Sequence, residues 1–182
     1  MDDMEFLRGH VAEVARRLLG CILERELDGQ ILRGRIVEVE AYDQTDAASH
    51  SYRGKTERTA VMFGPAGHLY VYFTYGMHYC CNIVVGEEGH GAAVLIRALE
   101  PLAGLDLIRE RRHGRPDAEL TDGPAKLCQA FSIDRRLNGH DLQTPPLRLL
   151  QAEPIPADRI ITTPRIGISQ AKDVPWRFVT RD

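Results

Sequence analysis

A chain of 182 residues is long enough for one domain with a sizeable core. Hydrophobic residues at 43% and charged residues at 27% fit an ordinary globular protein, and a net charge of −3 gives no overall attraction to a polyanion. No apolar run approaches a membrane span, MDDMEFLRGH lacks the apolar core of a secretion signal, and Cys21, Cys80, Cys81 and Cys128 form no CxxC pair, which argues against zinc knuckles and iron–sulfur clusters. Reduced, buried thiols in an intracellular protein are expected.

Val11, Val14, Ala15, Leu18 and Leu19 recur at helical spacing, and Gly20 stops the run. CILEREL, then Asp28-Gly29, then QILRGRIVEVEAY predicts a β-hairpin. On its second strand a period of two places Ile36, Glu38, Glu40 and Tyr42 on one face and Val37, Val39 and Ala41 on the other. The apolar face should meet the core, and the Glu/Tyr face a cleft or solvent. Residues 43–68 lack periodicity and read as a long loop with one short helix near TDAASH; loops of that length in compact domains tend to be functional or disordered. GHLYVYFTYG, CCNIVVG and GAAVLIRALEP read as strands. PLAGLDLIRERRHG and TDGPAKLCQAFSI read as helices, the second with Asp122 or Gly123 as cap and Pro124 in its first turn. Short strands follow in LRLL, DRIITTPRIGIS and WRFVTRD. With no repeat or linker, residues 1–182 are expected to form a single α+β domain with a curved, mostly antiparallel sheet and a few helices.

The chemistry-bearing residues are unevenly spread. All six tyrosines lie between positions 42 and 79. Such rings suit a surface that stacks on flat ligands and offers a polar tip, although Tyr70 and Tyr79 also fit plain strand positions. Tyr75, just before Gly76, should project from a turn. Glu40 and Glu38 compete on equal terms as a general base, because both share one strand face. His50 alone suits a hydrogen-bonding loop histidine as well as a proton shuttle. The histidines show no HExxH spacing, so no metal site is expected. Arg53, Lys55 and Arg58 against the single Glu57 make a local basic patch, in a chain whose cations are almost all arginine.

RIVEVEAYDQTDAASHSYRG, MFGPAGHLYVYFTYGMHYCCNIV, AVLIRALEP and DGPAKLCQAFSID, with RIGIS and WRFVTRD after them, resemble the alkyladenine (3-methyladenine) DNA glycosylase family in its single-domain form. The resemblance runs from about Phe6 to about Val179. It implies a monofunctional repair enzyme that flips a damaged purine from the duplex and hydrolyses its N-glycosidic bond without a cofactor. Carried over by motif, Glu40 is the water-activating base, which breaks the tie with Glu38. Tyr42, His50, Tyr72 and Asn82 bound the base pocket, Tyr75 is the wedge that fills the gap in the duplex, and Arg97 holds phosphate. Arg53, Lys55 and Arg58 are further phosphate candidates.

The resemblance also implies double-stranded DNA bearing damaged purines as partner, a monomer, no membrane association, and a nucleoid, cytoplasmic or nuclear location. The GEEGHG turn is acidic, and the YRGKTER patch is lighter in arginine than the family pattern suggests. Two other readings stand beside it: a hydrolase of free nucleosides or small glycosides, and a nucleic-acid-binding module without catalysis.

Overall fold

A computed structural model describes residues 4–74 and 76–181. Among them, eight strands form one sheet, every pairing antiparallel. They are β1 (Ile22–Leu27), β2 (Gln30–Asp43), β3 (Leu69–Thr74), β4 (His78–Val84), β5 (Ala92–Ala103), β6 (Leu147–Leu150), β7 (Ile160–Thr163) and β8 (Arg177–Thr180). The helices are α1 (Val11–Leu18), α2 (Leu105–Arg111) and α3 (Pro124–Ala130). The main path runs β3-β4-β5-β2-β1-β6. The fold is α+β, with the sheet curled into a half-barrel. β2 is its hinge: its first half pairs with β1, whereas Glu38–Glu40 pair with β8.

The apolar stripe of α1, Val11, Val14, Ala15 and Leu18, packs with Leu107 and Ile108 of α2 and Leu127 of α3 against one face of the sheet. Leu23, Leu32, Ile36, Val39, Ala41, Ile83, Val94 and Ile96 supply the strand side of this core. Each such large side chain contributes roughly 1.5–3 kcal/mol on burial. A smaller cluster of Met62, Tyr70, Val84 and Ala93 lies apart from it.

Strict alternation along β2 fails at one point. Ile36 pairs with Leu99 and Glu38 with Ala98, so Val37 has no partner; Glu38 then pairs with Ala98 and Val39 with Ile96, so Arg97 has none either. Each bulge adds a residue and shifts the parity of its strand. Ile36 therefore joins Val39 and Ala41 in the main core instead of sharing the Glu40 face, and Val37 is only half-buried.

Three other expectations need correction. Pro101–Ala103 extend β5 instead of opening a helix, and α2 starts only after Gly104. Gly104 has φ of 77°, and a Cβ there would stand 2.9 Å from the Ile31 carbonyl. That conformation and that approach both require glycine, so the turn sits there. TDAASH forms successive turns, not a helix, because Asp43 and Asp46 accept hydrogen bonds from the backbone N–H groups of Thr45 and Ala48, which competes with helix formation. Finally, β7 stops at Thr163 before Pro164, so PRIGIS runs as irregular chain.

Candidate active site

Strand register aligns the site. Glu40 pairs with Leu95, Leu95 with Asn82, and Asn82 with Tyr70. Opposed residues on antiparallel strands share a face. One row therefore crosses four strands from Glu40 to Tyr70, roughly 14 Å at about 4.8 Å per strand. Residues two positions along share that face, which adds Tyr42, Arg97, Cys80, Tyr72 and Thr74. Ala47, Ala48, His50 and Met62 from the segment after β2, Pro124 of α3, and the strap 166–170 between β7 and β8 complete the walls. The cavity has a volume of about 450 Å³, within the size range of small-ligand sites.

Glu40 is wholly buried at its edge. Its Oε1 accepts the Tyr42 hydroxyl at 2.8 Å and an Arg97 Nη1–H at 3.4 Å, and its Oε2 accepts the Ile166 backbone N–H at 2.7 Å. Buried charge is tolerated only with such partners. Arg97 Nε donates to Glu38 at 3.0 Å, and Arg177 Nε donates to the same oxygen at 2.9 Å. Glu38 is thus a bridge between two arginines and does not line the cavity, whereas Glu40 does. Burial, the Glu40 charge and the hydrogen bond to it all raise the Tyr42 hydroxyl pKa, so Tyr42 stays a donor.

Tyr72 stands beside His50, ring centroids 4.5 Å apart and edge to face, and the His50 Nδ1 meets the Tyr70 hydroxyl at 3.1 Å. Burial and then the Cys80 thiol raise Tyr72, and burial pushes Cys80 up to about 11, so that thiol is protonated and unreactive at neutral pH. The Asn82 side-chain amide donates to the Tyr70 carbonyl at 3.2 Å, which fixes its orientation.

His50 keeps an open edge at the cavity mouth, but protein crowded round its ring and then the Arg58 charge lower its pKa. A lowered folded value means that the unfolded chain takes up the proton first. Stability is then lost as pH falls through the ordinary histidine value of about 6.5. Solvent at the open edge screens the effect, so the loss is small. His50→Gln is expected to flatten the decline in urea midpoint between pH 7 and pH 5, and an unchanged slope would assign that decline to other groups.

The structure brings Glu40, Tyr42, His50, Tyr72, Asn82 and Arg97 to one cavity. Arg53, Lys55 and Arg58 are exposed on the segment that carries His50 and are not among its lining residues. Tyr75 lies outside the described residues. Among the described residues no cluster of three or more His, Cys, Asp or Glu could hold a metal. The strap 166–170 and the arginine at its root, Arg165, were missed by sequence reasoning. The available signal was Pro164 followed by Gly167, two breakers within a stretch read as strand.

Residues 5–182 match the family model described as methylpurine-DNA glycosylase. A relative from Carboxydothermus hydrogenoformans, named "Putative 3-methyladenine DNA glycosylase", is 53% identical over 98% of this chain and 94% of its own length. Relatives of the same name from Methanoculleus marisnigri and Chlorobaculum parvum are each 49% identical, over 95% and 97% of this chain and 91% and 86% of their own lengths.

Proposed function

This chain belongs to the methylpurine-DNA glycosylase family, and from that premise we propose that it excises damaged purines from duplex DNA by direct attack of water. It is a DNA repair glycosylase, a hydrolase of N-glycosyl bonds. The observation that carries the mechanism is the buried Glu40 carboxylate at the edge of a cavity walled by tyrosines.

A purine cannot meet that carboxylate while stacked in a duplex. Flipping it out costs a few kcal/mol, least for damaged or mispaired bases. The flipped base lies between Tyr42 on one side and His50 and Tyr72 on the other, with Asn82 on the floor. A cationic alkylated purine gains there from electron-rich rings and departs readily. The sugar passes through an oxocarbenium-like state as the bond breaks. Three protein donors fill three of the roughly four acceptor sites of the Glu40 carboxylate, and the fourth takes a proton of the attacking water. The negative charge also stabilises the developing cation. Tyr75 fills the gap left in the duplex, Arg97 meets the phosphate beside the flipped nucleotide, and Arg53, Lys55 and Arg58 meet the backbone farther out. The enzyme acts as a monomer and needs no cofactor.

The test is a panel of duplexes with one modified purine each. The expected result is release of the free base, an intact strand with an abasic site, and no covalent complex trapped by borohydride. Lys126, two residues along from the cavity-lining Pro124, is half-exposed and paired to Asp122 at 2.8 Å, unlike a desolvated nucleophilic amine. Turnover of free nucleosides without turnover of any duplex would sink the reading.

A further inference from the structure

We propose that Arg165 is a positioning residue that closes the strap 166–170 over the cavity and thereby holds the Ile166 N–H on Glu40; the inference rests on the glycosylase reading. The Arg165 side chain is fully buried and forms a two-pronged ion pair with Asp46, which is also buried. Nη1 bonds one Asp46 oxygen and also donates to the Ala41 carbonyl at 3.0 Å. Nη2 donates to the other Asp46 oxygen at 3.0 Å and to the Ala171 carbonyl at 3.3 Å. The guanidinium also lies 4.8 Å from the Tyr42 ring centre and 5.6 Å from that of Trp176.

These contacts join three separate stretches of chain. Ala41 lies between Glu40 and Tyr42 on β2. Asp46 belongs to the segment that carries His50. Arg165 and Ala171 are the two ends of the strap, so one guanidinium pins both ends. Next to it, Ile166 donates its N–H to Glu40 Oε2 at 2.7 Å, although the residue is 47% exposed. An exposed loop with no strand ladder does not hold a backbone donor on a buried carboxylate unaided. A planar fork with five donors can reach both carboxylate oxygens and two carbonyls at once; an ammonium has only three donors for these four acceptors. The Arg165 Nε has no partner although it is buried. Unpaired buried donors are costly, and this site keeps one because the fork serves two carbonyls and Asp46 at once.

Arg165→Lys keeps the charge beside Asp46 and removes the fork. Single-turnover excision on a lesion duplex should fall at least about tenfold, while lesion-duplex Kd changes less than about threefold. Trp176, the sole tryptophan, should shift its fluorescence. Arg25 is the control for stability alone: it is equally buried and donates to the Phe131 and Ser132 carbonyls. Arg25→Lys should lower the melting temperature without lowering the rate. Ile166→Pro removes the Glu40 donor from an exposed position and carries the test if Arg165→Lys does not fold. It should lower the rate with the Trp176 signal unchanged. A wild-type or faster rate in Arg165→Lys or Ile166→Pro, or an equal rate loss in Arg25→Lys, would overturn the proposal. A wild-type protein that excises nothing would instead refute the glycosylase reading on which it rests.

Discussion

Glu40→Gln is expected to lower single-turnover excision by about 10²–10⁴-fold, the range for loss of a general base, while lesion duplexes stay bound as tightly or more so. The substitution keeps shape and removes the proton acceptor. It also removes a negative charge from a site that must approach phosphate. The amide costs something in stability, because its NH₂ must face either Arg97 or the Ile166 N–H, and both are donors. Melting curves should therefore accompany the kinetics. Glu38→Gln is the matched comparison. Glu38 bridges Arg97 and Arg177 outside the cavity, so its loss should be much milder for turnover. Equal losses in the two variants would remove Glu40 from the role of base.

Arg97→Ala should carry the larger cost in stability, about 3–5 kcal/mol, as expected when one partner of a buried ion pair is deleted. That is a large share of the roughly 5–15 kcal/mol that holds a typical domain. Of its three protein donors, the buried Glu40 would keep only the Tyr42 hydroxyl and the Ile166 N–H. Arg177→Ala leaves Glu38 with Arg97 and removes none of the three hydrogen bonds to the Glu40 carboxylate. It should cost about 1.5–3 kcal/mol, the range for hydrogen bonds to charged groups. Urea unfolding of both variants compares the two. Similar midpoints would mean that Arg97 does not brace the buried carboxylate.

Much of the fold was legible because strand periodicity is a local property. The parity of Glu38, Glu40 and Tyr42, the hairpin at Asp28-Gly29, and the run of strands from Leu69 to Leu99 all follow from neighbouring residues. Where a long-range contact decides, the local reading failed. Nothing near Val37 marks it as a bulge, because the irregularity lies in its pairing with β5, some sixty positions away. Pro101 looked like a helix start, but it pairs with Gly34. In the site, the choice between Glu38 and Glu40 stayed open on pattern alone; what separates them is burial and the company of Tyr42 and Ile166. Arg165 was hidden for the same reason. Its partner Asp46 is 119 positions away, and only the folded chain joins them.

The row from Glu40 to Tyr70 has an evolutionary corollary. The proposed base, Glu40, is placed by a backbone ladder in which one inserted or deleted residue turns a side chain to the opposite face. Most of the remaining lining, Ala47, Ala48, His50, Met62 and the strap 166–170, comes instead from stretches that belong to no ladder. Apart from Asp46, Arg165, Ile166 and Ala171, which hold the strap on the carboxylate, those stretches can change composition without shifting the ladder. On the proposed mechanism, remodelled walls would change which damaged base fits, while the row that places Glu40 stays as it is.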